Sequence, residues 1–529
     1  MVTGIPSVNI SYKTYWQERR EIPAYIHVER CWPEVGKLSP CEAACPLNMD
    51  IPNYIIAITQ GNAKEALSII RESNPLPSVC GRVCHHPCEA ECNRKVIDSP
   101  VAIEWLKRYA ADHGDSERPS PVPRTREEKV AIIGSGPAGL TAAHDLAKKG
   151  YGATIYEASP IAGGILSSAI PEFILPLKAV QADIDYIKAL GVRIHCNIRI
   201  GKDLSLAGLW QQGYQAILVA IGNQKSAELR IPGADLGGIY PALPFLKQSK
   251  TGQLSSLRGK VWVIGGGAVA TDVARTALRL GADEVHVACL ECRADMPAFT
   301  WEIDTAESEG VHMHPSLAPQ QFVTKDGPRV SGIDFKRVSS TQLDSQGAIQ
   351  WTLVEGPGSD YSVDADAVII AIGQAPDNTG IVAESLDINN RGGLVVNEQT
   401  QQTNVPGIFA AGDISATGGT VTDSMAAGRR AAIAIDQYLS GIPVSVPRES
   451  REILTIKAEQ IPEYFIRKDR WEMPRLISKE ATRTFNEVDL GYTDWQAVEE
   501  AKRCLNCRMC ANCIFERGQL CCETAYRLL

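Results

Sequence analysis

The 529-residue sequence predicts an α/β protein with two Rossmann-like dinucleotide-binding domains, preceded by an α-helical, cysteine-rich domain and followed by a cysteine-rich C-terminal tail. Three observations predict it. Two strand–glycine loop–helix units stand roughly 130 residues apart, a spacing compatible with two separate nucleotide-binding domains. The 16 cysteines crowd the two ends, with seven in Cys31–Cys92 and six in Cys504–Cys522. Hydrophobic residues at 44% and charged residues at 22% mark a folded globular chain, not a disordered one.

In the opening segment, apolar residues spaced by three and four predict helices over Ile51–Gln60 and Ala63–Glu72, with Pro52 at a helix start. His113–Glu128 is polar and proline-containing and reads as a linker. The first dinucleotide unit is Lys129–Pro160. Its strand is Val130–Ile133, its turn Gly134-x-Gly136-x-x-Gly139, its helix Leu140–Lys149, and its next strand, Ala153–Tyr156, ends at Glu157. Gly134 makes the tight turn. Gly136 lets the backbone approach a pyrophosphate at the helix N-terminus, Gly139 lets helix and strand pack closely, and Glu157 can accept from ribose hydroxyls. Ala138 and Gly164 are expected at the same site.

The second unit, Lys260–Ala298, carries Gly265-x-Gly267-x-x-Ala270, and its strand Glu284–Leu290 ends near Glu291. A carboxylate there suits a free ribose 2′-hydroxyl and sits badly beside a 2′-phosphate, which favours NAD(H) over NADP(H); Arg293, close by, pulls the other way. A third stretch, Thr403–Ile435, has a strand over Gly407–Ala411, then Gly412-Asp413, then a helix from near Val421. An Asp at a strand end with a helix N-terminus aimed into the same cleft suits the ribityl hydroxyls and electron-rich pyrimidine edge of a flavin.

Together these stretches resemble the flavoproteins with two dinucleotide-binding domains. The resemblance implies FAD on the first unit, a nicotinamide nucleotide on the inserted second, and crossover strands at Ala216–Gly222 and Ala367–Asn378. One departure stands out. The disulfide reductases of that group place a CxxxxC after the first glycine loop, where this chain reads PIAGGILSSAIPEFILP (Pro160–Pro176). Electrons are therefore expected to leave the flavin by a route other than a thiol pair, and no side chain is expected to act as catalytic nucleophile or base, because hydride passes directly to FAD.

The N-terminal cysteines read Cys31, Cys41-x3-Cys45-Pro46, then Cys80-x3-Cys84-x3-Cys88-x3-Cys92, with Pro87 interrupting any continuous helix. Thiolates suit zinc or iron–sulfur centres, and a neighbouring flavin favours the latter. Cys41–Arg94 resembles the N-terminal domain of the glutamate synthase small subunit, shared with dihydropyrimidine dehydrogenase and the transhydrogenase large subunit. The resemblance implies two interleaved [4Fe-4S] clusters. One would take Cys45, Cys84, Cys88 and a fourth ligand, Cys80 or Glu104; the other would take Cys41 and Cys92 with Cys31. The usual CxxC ahead of the Cys41 position is missing. At the other end, Cys504-x2-Cys507-x2-Cys510-x2-Cys513 repeats the ladder that opens bacterial ferredoxin motifs, with Cys521 and Cys522 as further candidates for a fourth ligand, so two or three clusters are expected in all.

Charge and hydropathy narrow the rest. The formal charge of −9 comes without a basic block, which speaks against nucleic acid, and no apolar run reaches membrane-span length. No signal-peptide pattern opens the chain, so a cytoplasmic protein is expected. His85 and His86 read as loop residues, His312 and His314 as a surface strand, Cys289 and Cys292 as packing, and Asp272 as structural. The domain expectation is 1–123 helical and iron–sulfur, 124–258 with 366–443 for FAD, 259–365 for NAD(P)H, and 444–529 as a C-terminal extension with an iron–sulfur motif. The function expected is an NAD(P)H-dependent oxidoreductase that passes electrons through FAD and [4Fe-4S] clusters to another subunit or to ferredoxin, in either direction or by bifurcation. A true glutamate synthase small subunit, a free-standing diaphorase and a zinc-stapled, non-enzymatic assembly factor are the alternatives.

Overall fold

A computed structural model describes residues 38–114, 118–325, 327–344, 349–381, 385–415, 417–445, 452–453 and 467–507. Cys31, Cys510, Cys513, Cys521 and Cys522 lie outside the described residues.

The described residues begin with short helices: α1 (Pro40–Ala44), α2 (Ile51–Thr59), α3 (Ala63–Ser73), α4 (Pro77–Val83), α5 (Pro87–Ala90) and α6 (Ile103–His113). Their starts are set locally. Ser39 and Glu42 form a reciprocal cap on α1, Asp50 accepts from the Asn53 amide ahead of α2, and Asn62 accepts from the Glu65 amide ahead of α3. His86, at φ 41°, turns the chain sharply between α4 and α5, and Pro87 then begins the next helix.

The first α/β unit runs β1 (Lys129–Ile133), α7 (Pro137–Lys148), β2 (Gly152–Tyr156), α8 (Ile165–Ser168), α9 (Leu177–Ala189), β3 (Arg193–His195), α10 (Leu206–Gln211) and β4 (Ala216–Val219). A crossing strand, β5 (Lys225–Ser226), leads to the second: β6 (Ile239–Pro241), α11 (Ala242–Lys250), β7 (Lys260–Ile264), α12 (Ala268–Arg279), β8 (Glu284–Ala288), α13 (Thr300–Ser308) and β9 (Val311–His314). Then come β10 (Leu317–Val323), β11 (Gly332–Leu343), β12 (Ile349–Leu353), β13 (Asp360–Asp364) and β14 (Ala367–Ile370). The return strand β15 (Gln374–Ala375) pairs antiparallel with β5, and the chain rejoins the first unit through β16 (Ile408–Ala410) and α14 (Val421–Leu439). Helices α15 (Ser478–Ala481) and α16 (Asp494–Ala501) close the described chain.

Two parallel five-stranded sheets result, ordered β16-β4-β1-β2-β3 and β6-β14-β7-β8-β9, and β10 to β13 form a separate antiparallel sheet. Strands buried on both faces, such as Ala216–Val219 and Ala367–Ile370, are continuous apolar runs, as parallel sheets require. One apolar core runs from the opening helices (Ile55, Leu106) through the first sheet (Val130, Leu140) to α14 (Ala427) and α16 (Ala497, Ala501). The second sheet has its own, around Val263, Ala274 and Ile369. The predicted fold class is the observed one.

Candidate functional site

Each glycine loop is shaped by what a side chain would meet. Gly134 follows β1 at φ 100°, where L side chains are strained, and a Cβ there would lie 2.5 Å from the Ala220 carbonyl oxygen. At Gly139 a Cβ would run into the Gly134 carbonyl. Gly136 differs: a Cβ there meets nothing within 4 Å, so the space in front of the α7 N-terminus is open. The second loop repeats this. Gly265 sits at φ 138° against the Ala371 carbonyl, Gly267 faces open space at the start of α12, and Ala270 is fully buried. Open space before an exposed row of helix N–H groups is the shape that takes a pyrophosphate.

Glu157 stands just past β2 and is buried. Its Oε2 accepts from the Ser135 amide (3.0 Å) and hydroxyl (2.6 Å), and its Oε1 from the Ser159 amide (2.7 Å). The carboxylate thus fixes the loop as well as facing the site. Gly164, at φ 59°, lies against Gly136, where a Cβ would come 3.0 Å from the Gly136 Cα. Gly412, at φ 83°, lies against Ala138, and Asp413 Oδ1 accepts from the Gly419 amide (3.0 Å) and the Ser424 hydroxyl (3.3 Å). Val421 opens α14, which contacts α7 where Gly428 meets the Ala138 carbonyl.

In the second unit, a Cβ on Gly266 would lie 3.1 Å from Glu291 Oε2, so this carboxylate hangs over the loop. Arg293 points elsewhere, to Glu307 (2.7 Å) and Asp304 (3.2 Å) on α13.

A single cavity of about 1380 Å³ is lined by Gly134, Gly136, Glu157 and Asp413 from the first unit, and by Ala268 and Asp272 from the second. Cys84, His85 and Glu104 of the opening helices line it too. Sequence reasoning treated Asp272 as structural and the two histidines as solvent-facing. Burial, reinforced by Glu302, pushes the Asp272 carboxyl up to about 8. Both histidines are half-buried. His86 stacks on Trp301 at 4.4 Å between ring centroids, Trp301 on Phe299 at 4.5 Å, and His85 Nδ1 lies 3.3 Å from the Thr422 hydroxyl. These contacts join three distant segments, and no local pattern announces them. His286, His312 and His314 instead stack on one another and on Trp262 at the far edge of the second sheet, and Cys289 is packed in a small core of its own.

The described cysteines of the ends fall into two groups. Around Cys84 gather Cys45, Cys88, Glu104 and Lys107; burial first, then Cys45, Cys84 and Glu89, raises the Cys88 thiol, and burial, then Glu104 and Cys45, raises Cys84, while Lys107 pulls both down. Lys107 is buried among them, its positive charge favoured by Cys84, Cys80 and Glu104. Cys80, fully buried, directs its thiol to Met425 Sδ at 3.3 Å, whereas Glu104 pairs with His86 at 3.0 Å. The second group is Cys41, Cys92, Cys504 and Cys507, which line one pocket. The expected partner of Cys41 and Cys92 was Cys31, with Cys504 and Cys507 in a separate ladder; the structure brings the latter two to the N-terminal thiols. Buried, soft thiol donors in sets of three and four are the donor chemistry of iron–sulfur clusters, and the open loops match dinucleotides, so the residues present fit both groups.

Residues 128–436 match the family model described as pyridine nucleotide-disulphide oxidoreductase, and residues 11–118 the model described as dihydropyrimidine dehydrogenase domain II, 4Fe-4S cluster. The chain is 38% identical over 504 residues to the NADP(+)-dependent formate dehydrogenase subunit beta of Moorella thermoacetica, covering 89% of this chain and 70% of that one. It is 32% identical over 461 residues to the glutamate synthase [NADPH] small chain of Azospirillum brasilense, covering 82% and 95%. Among solved structures, Mycobacterium tuberculosis FprA in complex with NADPH superposes with a TM-score of 0.50 at 18% identity, over 60% of this chain and 85% of that chain, a likeness of fold. The resemblance drawn from Cys41–Arg94 agrees with these relatives.

Proposed function

Because the chain belongs to the pyridine nucleotide-disulphide oxidoreductase family and carries a 4Fe-4S domain of the dihydropyrimidine dehydrogenase type, we propose that it is the electron-input subunit of a larger complex, oxidising NADH and delivering electrons to a partner subunit or ferredoxin. It is an oxidoreductase of a family whose members use NAD(P)H, FAD and iron–sulfur clusters. The observation that carries the proposal is the single cavity onto which the first glycine loop, the first turn of α12 and Cys84 all open.

FAD, when bound, takes up a hydride as an electron pair, and [4Fe-4S] clusters accept electrons singly. This chain's residues do the holding. The amides at the starts of α7 and α12 would receive the two pyrophosphates, Glu157 would hold a ribose, and Asp413 with the α14 N-terminus would take the flavin. Phe299 and Trp301 wall the cavity. Cys84 lines the cavity, Cys45 and Cys88 lie beside it, and Lys107 would balance the charge of their thiolates.

The preference for NADH rests on Glu291 over the loop and on Arg293 being committed to α13 carboxylates. Two relatives bear names with NADP(+) and NADPH, which makes the choice a direct test. The expected result is a kcat/KM for NADH above that for NADPH in anaerobic flavin reduction, and a fall in that ratio in Glu291→Gln; a wild-type preference for NADPH refutes it. Clustered thiols fit a reducing compartment, and we place the protein in the cytoplasm; among the described residues no helix is long and apolar enough to cross a membrane. Co-purification of an iron–sulfur or catalytic partner, with NADH-driven reduction of that partner, tests the subunit role.

A further inference from the structure

Helix α16 and the residues up to Cys507 are locked against the helices of the cysteine-rich N-terminal domain. Helix α16 packs on α2 and α6, with Ala497 and Ala501 fully buried in the shared core. Arg503 follows, and its side chain is wholly inaccessible. It reaches Asp98 Oδ1 at 2.9 Å, Glu500 Oε1 at 2.6 Å, and the carbonyls of Ser99 (2.6 Å), Pro100 (3.3 Å) and Lys468 (3.0 Å). Arg94 in turn donates to the Arg503 carbonyl at 3.1 Å, and Glu500 Oε1 accepts from the Ala102 amide at 2.8 Å. A buried guanidinium with all these partners holds its backbone in one place. The next residues are Cys504-x2-Cys507, and this anchoring delivers both to a pocket already lined by Cys41 and Cys92, with Ile51, Ile55, Val101 and Ile103 as apolar walls.

We propose that Cys41, Cys92, Cys504 and Cys507 together ligate one [4Fe-4S] cluster, the C-terminal CxxC supplying the half of the ligand set that the N-terminal domain lacks. The inference rests on the iron–sulfur reading above and adds to it which thiols belong to one site. All four thiols line this one small pocket. Among the described residues no three His, Cys, Asp or Glu side chains converge on a single-ion position. Four thiols on one pocket are the all-sulfur donor set of an iron–sulfur cluster. Ile51, Ile55, Val101 and Ile103 wall the pocket, and Arg94 and Arg503 fix the backbone on which Cys504 sits.

The test uses full-length protein purified anaerobically, with iron and sulfide counted per chain and the reduced clusters recorded by electron paramagnetic resonance. Cys41→Ser, Cys92→Ser, Cys504→Ser and Cys507→Ser should each remove the same signal and about four irons. Cys41→Ser/Cys504→Ser should remove no more than either single change, and Cys31→Ser should remove nothing. Two distinct signals lost from the two ends, with iron losses that add in the double variant, overturn the proposal, as does loss of the shared signal in Cys31→Ser. Where a serine variant does not fold, wild-type protein answers the question: on stepwise ferricyanide oxidation, alkylation mapped by mass spectrometry should open Cys41, Cys92, Cys504 and Cys507 in step. Opening of Cys504 and Cys507 independently of the other two overturns it. Flavin content and NADH bleaching of the flavin, followed in the same samples, report on the electron-input reading separately from the ligand set.

Discussion

Gly136 and Gly267 have φ of −71° and −90°, values any residue adopts, and neither would place a Cβ near a protein atom. The fold therefore does not need glycine at either position; the bound pyrophosphates do. Gly136→Ala and Gly267→Ala should keep the thermal midpoint of the flavin-free protein. The first should purify with little flavin, and the second should raise the KM for the nucleotide by about tenfold or more, a loss of about 1.4 kcal/mol. Absorbance per chain and steady-state kinetics check both. Gly139→Ala behaves differently, since its Cβ meets the Gly134 carbonyl and the whole turn must shift. A second residue-scale outcome concerns the fourth ligand beside Cys45, Cys84 and Cys88. The Cys80 thiol is directed at Met425, while Glu104 is buried against Cys84 and His86. Cys80→Ala should leave iron content unchanged and Glu104→Ala should lower it, measured by iron assay on anaerobic samples.

At the scale of elements, the joint between the helical domain and the first α/β unit contains a buried carboxyl. Asp183 of α9 is fully inaccessible and accepts from the Val79 amide at 3.0 Å, in the first turn of α4. Burial pushes it up to about 7 from 3.8, so the folded state favours the protonated form. Its stability contribution is therefore fully present below about pH 4 and is lost as pH rises through about 7. Asp183→Asn keeps the acceptor without the charge. Its thermal midpoint should gain on wild type between pH 5 and pH 8, at about 2–4 °C per kcal/mol; a constant difference across that range would contradict the assignment. The same scale shows why some elements could be read from sequence and others could not. Strand, glycine turn and helix are contiguous around Gly134 and Gly265, so local spacing announces them. The docking of α16 depends on Tyr492, Ala497 and Ala501 meeting residues hundreds of positions away, and a CxxC carries no mark of its distant partners. The spacing from Cys504 to Cys513 thus reads as a self-contained ladder, although its first two thiols lie beside Cys41 and Cys92.

Across the whole molecule, the nucleotide unit meets the rest through the two-residue β5–β15 pairing, the aromatic contact of Trp301 and Phe299 with His86 and His85, the Lys250 ammonium donating to the Leu166 and Ile170 carbonyls, and Arg275 and Arg279 over the Phe173 ring. The cavity lies between these connections. Trp301→Ala should leave the thermal midpoint nearly unchanged, because the Trp301 side chain is outside both main cores. It should raise hydrogen exchange at residues 225–226 and 374–375, where the crossing strands absorb added rotation of the unit. Exchange unaltered there would show that the aromatic contact restrains nothing. Sequence alone identified the two nucleotide units but not this contact, since stacking between His86 and Trp301 depends on how whole units are placed.

The insertion of α16 and Arg503 into the opening helices also sets a schedule for biosynthesis. Chains emerge from the ribosome N-terminus first at about 5–20 residues per second, so the roughly 400 residues between Cys92 and Cys504 take on the order of 20–80 s to appear. During that interval the opening helices lack the segment that covers them, and Ile51, Ile55 and Val101 stand open to solvent. Cys41 and Cys92 therefore wait for their neighbours, and a chain stopped before Cys504 would present those two thiols without Cys504 and Cys507.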